Sequence, residues 1–154
     1  MKKQIFISGD HAGFELKQKI KSWLAGKGFE IKDFGPLTYD KNDDYPDFVI
    51  PMAKAMIKNK NKDSRGIIIA GSGEGESIAV NKFRGIRAAI YHGKNLNIVK
   101  TTREHNDSNV LSLGSRFVKF EEMKKAIDLF LKTKFAGGRH KRRLEKIEKM
   151  MVRR

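Results

Sequence analysis

Residues 71–76 read Gly-Ser-Gly-Glu-Gly-Glu, between the apolar run GIIIA (66–70) and a segment of helical periodicity. Three alternate glycines there allow backbone N–H groups to converge on an anion, and Ser72 adds a hydroxyl. The run is not a Walker A loop, since no Gly-Lys-Ser/Thr follows. Nor is it the G-x-G-x-x-G dinucleotide fingerprint. Spacing alone leaves two readings: an oxyanion or phosphate loop, or a tight strand-to-helix turn. Glu76 closes the loop at the expected first turn of the next helix. A carboxylate there complements the helix dipole, and beside a polarised carbonyl it would serve as a general base. Glu74 competes for the second role, and spacing does not choose between them.

Asp10-His11 follows the first apolar run (QIFIS, 4–8) and precedes a helix. Asp10 is a natural helix cap, while His11 would suit a phosphate or a proton relay. His105 and Asn106 lie in TREHNDSN, just before the last apolar run, where a turn or helix C-cap is the plainer reading. Arg116 follows that run. Arg139 and Arg143 stand at i and i+4 beyond Gly137-Gly138, on one helix face, and two guanidinium groups so placed can clamp a phosphate. The plainer reading is a solvated basic helix. The four histidines (11, 92, 105 and 140) lack metal-ligand spacing and the chain has no cysteine, so no metal is expected.

Five strand-like runs alternate with helical segments. The strands read 4–8, 29–34, 66–70, 86–91 and 109–114. The helices read 13–25, 46 to about 59, about 76 to 83, 94–104, 120–132 and a basic tail from 139. Pro51 falls inside the second helix and predicts a kink or a late start. Alternation of this kind predicts one α/β domain over 1–154 with a mostly parallel sheet. Ligands of such sheets bind at the carboxyl ends of the strands. That rule singles out Asp10-His11, Gly71 to Glu76, the turn after Tyr91 and the segment after Gly114.

The chain has 154 residues, of which 39% are hydrophobic, enough for one buried core and with no run suited to a membrane span. The N-terminal apolar run meets Ser8-Gly9-Asp10 too early for a signal-peptide core, and absence of cysteine fits a reducing compartment. A cytoplasmic protein is therefore expected. A net charge of +15 points to an anionic partner: nucleic acid, an acidic surface or a phosphorylated substrate. Eight Lys/Arg and two Glu sit in 139–154; the remaining excess is spread among helical lysines. The aromatic clusters and motifs of nucleic-acid recognition are missing, so a nucleic-acid-binding module is the remote alternative.

Taken together, GDHAGFELK (9–17), DYPD (44–47), GIIIAGSGEGESIAVNKFRGIRAA (66–89), REHNDSNVLSLGSR (103–116) and GGRHKRR (137–143) resemble the ribose-5-phosphate isomerase B family, which includes galactose-6-phosphate isomerase subunits. The blocks appear in the family's order and cover most of the chain. The resemblance implies a three-layer α/β/α sandwich, Rossmann-like, around a five-stranded sheet. It implies a homodimer or homotetramer with active sites shared between subunits. It also implies interconversion of a phosphorylated aldose and ketose through a cis-enediolate, without cofactor. The leading substrate is ribose 5-phosphate; allose or galactose 6-phosphate is the alternative. On matched positions, Asp10 and His11 contact the sugar and its phosphate. Gly71, Ser72, Gly73 and Gly75 stabilise the enediolate. His105 opens the furanose ring, Asn106 is a neighbouring contact, and Arg116, Arg139 and Arg143 bind phosphate. One branch of the family uses a Cys at the place of Ala70 as base. This sequence follows the other branch, with Glu76.

Overall fold

A computed structural model of the chain describes residues 3–151. Strand β1 (Gln4–Gly9) leads through a single 3-10 turn (His11–Gly13) into α1 (Phe14–Gly26). Then follow β2 (Glu30–Asp33), α2 (Pro46–Lys58), β3 (Arg65–Ala70), α3 (Glu74–Asn81), β4 (Ala88–Tyr91), α4 (Asn97–Asn106), β5 (Val110–Gly114), α5 (Phe120–Lys132) and α6 (Gly138–Met150). The five strands pair in the order β2-β1-β3-β5-β4, and every pairing is parallel.

Side-chain alternation along the strands builds two cores. Ile5, Ile7, Ile67, Ile69, Leu111 and Leu113 face one side, where Ile20 and Leu24 of α1, Val99 of α4 and Ile127 and Phe130 of α5 cover them. Phe6, Ile68, Ala70 and Val110 face the other, under Val49, Met52 and Ala53 of α2 and Val80 of α3. Burial on both faces explains why the central strands read as unbroken apolar runs. The expected α/β/α sandwich is the fold observed.

Several boundaries differ from the sequence reading; α4, read as 94–104, runs Asn97–Asn106. α3 begins at Glu74, not Glu76, because Gly73 takes a left-handed conformation and Ser77 N–H already closes onto the Gly73 carbonyl at 3.1 Å. α2 runs unbroken from Pro46 through Pro51, which lies on its exposed side. β4 begins only at Ala88. Arg87 N–H is taken by the Asn109 side chain at 2.8 Å, which holds the approach to the strand outside the ladder. The basic tail is helical to Met150, and residues 152–154 of that reading lie outside the described residues.

Candidate active site

The sheet order turns in opposite directions from β1, to β2 on one side and β3 on the other. The crevice of such a sheet opens at the carboxyl ends of those strands. Asp10 leaves β1 there, the 71–73 loop leaves β3, and Arg116 follows β5. Arg116 N–H donates to the Gly71 carbonyl at 3.1 Å, and Ser115 N–H to the Ala70 carbonyl at 2.7 Å, which ties the exits of β3 and β5 together; Ser115 Oγ donates to the Ala12 carbonyl at 2.9 Å and ties in the exit of β1. A Cβ on Gly71 would lie 3.2 Å from Cζ of Arg116 and 3.3 Å from Cβ of Ala12. A side chain at residue 71 would thus press on the guanidinium, which packs closely on the loop.

Glu76, in the first turn of α3, is 4% exposed. Its carboxyl makes a side-chain hydrogen bond with Asp10, which also caps the 3-10 turn by accepting from Gly13 N–H at 3.1 Å. Burial raises Glu76 to about 7, its own amide opposes this, and the charge and hydrogen bond of Asp10 add to it. Glu76 is thus poised to gain or lose its proton near neutrality. Glu74 has the opposite setting: its side chain is 55% exposed and reaches His92 at 3.5 Å. The two glutamates, indistinguishable by spacing, thus differ sharply in their surroundings.

His11 meets Asp43 twice on one oxygen, by its backbone N–H at 3.1 Å and its Nδ1 at 2.6 Å. The hydrogen bond raises the imidazole above its ordinary value. Partial burial opposes it, the negative Asp10 and Asp43 support it, and Arg116 opposes it. Asp43 was not singled out from sequence. It sits in the polar DKNDD stretch, 32 residues from its partner, and nothing periodic marks it.

Three more supports escaped the sequence reading. The Tyr45 ring closes over Gly75, where a Cβ would lie 2.6 Å from its hydroxyl. Ser112 of β5 donates to the Gly73 carbonyl at 3.0 Å and fills the space a Gly73 side chain would need. His92, in the turn after Tyr91, hydrogen-bonds the Ser72 carbonyl at 2.7 Å. That turn was a predicted ligand position with no residue named. Within the loop, Glu74 N–H donates to Ser72 Oγ at 3.3 Å, an internal bond that consumes one amide of the proposed anion cradle.

The remaining predicted residues stand elsewhere. His105 and Asn106 end α4, which returns the chain to the start of β5 at the amino edge of the sheet. Val110 and Gly114 mark the two edges and lie about 13 Å apart at ordinary strand rise. Arg139 and Arg143 begin α6 at that same amino edge. The Ala136 amide donates to the Glu104 carbonyl at 3.0 Å, and His140 stacks on His105 with ring centroids 4.1 Å apart and planes 8° from parallel. Buried Arg103 braces this corner through Asp107 at 2.9 Å and the Ser108 carbonyl. So Arg116, grouped with Arg139 and Arg143 in the sequence reading, is parted from them within one chain. The single chain presents Asp10, His11, the 71–76 loop and Arg116 at one end of its sheet, and His105, Asn106, Arg139 and Arg143 at the other.

Comparison with known proteins identifies the family. The Ribose/Galactose Isomerase family profile matches residues 5–147. The chain is 39% identical to ribose-5-phosphate isomerase B of Escherichia coli over 152 residues, covering 99% of each chain. It is 37% identical to ribose-5-phosphate isomerase B of Mycolicibacterium paratuberculosis over 143 residues, covering 92% of this chain and 87% of that one. A crystal structure of ribose-5-phosphate isomerase B from Mycoplasma genitalium, with bound ribulose-5-phosphate, superposes with a TM-score of 0.90 at 43% identity, covering 97% of each chain. The residues at the carboxyl end of the sheet and those at its amino edge are thus parts of a chain that belongs to the ribose/galactose isomerase family.

Proposed function

We propose that the protein interconverts ribose 5-phosphate and ribulose 5-phosphate, with Glu76 as the base. The observation that carries the assignment of the base is the buried Glu76 carboxyl, tuned to about 7 and held against Asp10 at the head of the glycine loop. A general base works best when its pKa lies near the working pH. Ionised Glu76 takes the proton from C2 of the open-chain aldose, α to the aldehyde. The electron pair becomes the cis-enediolate, and its oxyanion faces the Ser72 hydroxyl and the loop amides. Each well-aimed donor of that kind is worth about 3–4 kcal/mol. Glu76 then returns the proton to C1. Passage of the hydroxyl proton from O2 to O1 completes the ketose.

His11 and Arg116 hold the phosphate away from the reacting carbons, so that binding energy becomes positioning. His105, Asn106, Arg139 and Arg143 come from a second copy of the chain in a homodimer. His105 opens the ring, and the two arginines complete the phosphate clamp. What supports the pairing is that these four side chains share one edge of the fold while the loop lies at the other. The reading includes a cytoplasmic setting, which a phosphorylated substrate and a chain without cysteine support.

The test is turnover of the purified protein on ribose 5-phosphate beside allose 6-phosphate and galactose 6-phosphate, in metal-free buffer. Preference for the pentose is expected. Glu76→Gln should lower kcat by several orders of magnitude with an unchanged fold. Preference for a hexose phosphate would overturn the substrate. Near-normal turnover of Glu76→Gln together with loss in Glu74→Gln would overturn the base.

A further inference from the structure

Asp43 is placed to do more than fill a loop. Its side chain is 6% exposed. One oxygen takes both hydrogen bonds from His11, and Oδ2 is buried without a hydrogen-bond partner among the described residues. A buried carboxylate is costly unless an opposite charge stands beside it. Among the described residues, the one cationic partner its hydrogen bonds provide is the His11 ring. With Nδ1 engaged, the ring has Nε2 left to donate. The other charged groups acting on the ring are Asp10, which precedes it in the chain, and Arg116, from the segment after β5. Arg116 repels the imidazolium, so two cations share one mouth, and an anion seated between them relieves that repulsion.

We propose that Asp43 is a positioning residue for substrate phosphate: through Nδ1 it fixes His11 as an imidazolium whose Nε2 donates to the phosphate beside Arg116. This rests on the isomerase reading above and adds to it a residue outside the catalytic set. Asp43 touches neither the sugar nor the reacting carbons. Its effect belongs to ground-state phosphate binding, so it should appear in KM and leave kcat nearly alone. The sign follows from protonation. The His11 charge is present below its raised pKa and is lost as pH rises through it, so KM rises on the alkaline side. Without the Asp43 charge the imidazole pKa falls and that rise begins at lower pH.

The experiment compares KM and kcat for ribose 5-phosphate across neutral to alkaline pH in the native protein, Asp43→Asn, His11→Gln and the double variant. Substrate phosphate titrates identically in all four, so differences between them isolate the ring. For each unit by which the His11 pKa falls, KM of Asp43→Asn should exceed the native value by up to about tenfold near pH 8, with kcat within about twofold of native. His11→Gln should have a high KM without this pH dependence, and adding Asp43→Asn to it should change nothing further, because the two act as one unit. An independent arm follows the His11 ring by NMR, titrating pH with and without inorganic phosphate as the probe. Phosphate should shift the native His11 signal, and Asp43→Asn should lower the ring's pKa. An unchanged pKa in Asp43→Asn, no response of His11 to phosphate, or a further KM rise in the double variant would each overturn the proposal. If none of the proteins turns over substrate, the isomerase reading fails, and the NMR arm alone still decides whether Asp43 sets up an anion-binding His11.

Discussion

One buried carboxyl dominates the electrostatics at the scale of single residues. Glu76 is raised to about 7 chiefly because burial penalises its charge, with Asp10 adding to the effect. Ionisation is what makes it a base, so kcat on ribose 5-phosphate should climb with pH through neutrality, while loss of the His11 charge acts separately on KM. The same group bears on stability with a definite sign. A folded pKa above the ordinary 4.5 means the native state binds more protons than the unfolded chain between those values. Stability from this group is therefore full in acid and declines as pH rises from about 4.5 to about 7. By neutrality and above, the cost is on the order of 3 kcal/mol. Glu76→Gln should remove that decline, and urea unfolding of both proteins across this window would check it. A parallel decline in the variant would show that Glu76 is not the strained group. The enzyme should thus gain stability on losing its base, as expected where function is held against the preference of the fold.

At the scale of elements, the start of α3 carries the geometry. Gly73 has φ of +79°, and its missing side chain leaves room for Ser112 Oγ, which holds the Gly73 carbonyl at 3.0 Å. Gly73→Ala should cost about 1–2 kcal/mol for the left-handed backbone alone, with more from the collision, measurable by denaturant unfolding. Turnover should fall further than stability, since Ser72 and Glu76 flank that residue. Pairing it with Ser112→Gly should relieve the collision and leave the backbone cost. Much of this region was legible in the sequence: alternate glycines after an unbroken apolar run mark a buried strand turning into a helix. The helix start two residues early was not legible, because it depends on the Gly73 conformation. Asp43 and Tyr45 were also beyond local reading. Their contacts with His11 and Gly75 join segments about 30 residues apart, and a polar loop such as DKNDD has no period that aims one aspartate over its neighbours. Likewise the i, i+4 spacing of Arg139 and Arg143 correctly placed them on one helix. It could not place that helix at the edge of the sheet opposite Arg116.

For the whole molecule, the proposed function assigns the two ends of the sheet to two halves of one reaction. On the proposed pairing, Glu76→Gln and His105→Ala each cripple a different half. Mixed dimers of the two would contain one doubly damaged site and one intact site. Co-refolding the two inactive proteins in equal amounts should then restore about one quarter of native turnover, since half of randomly paired dimers are mixed. No recovery after exchange, with dimers present, would mean that a single chain completes its own site. A different consequence follows from the two cores. Asp10 enters the site from the strand that α1 covers on one face. Glu76 rides on α3, which packs on the other. Their contact therefore stitches one layer of the sandwich to the other across the rim of the sheet. Slack introduced in either layer, by a cavity under Met52 or under Ile127, is felt first as a loosened stitch. The enzyme should fall silent on warming while most of its helices and strands are still in place.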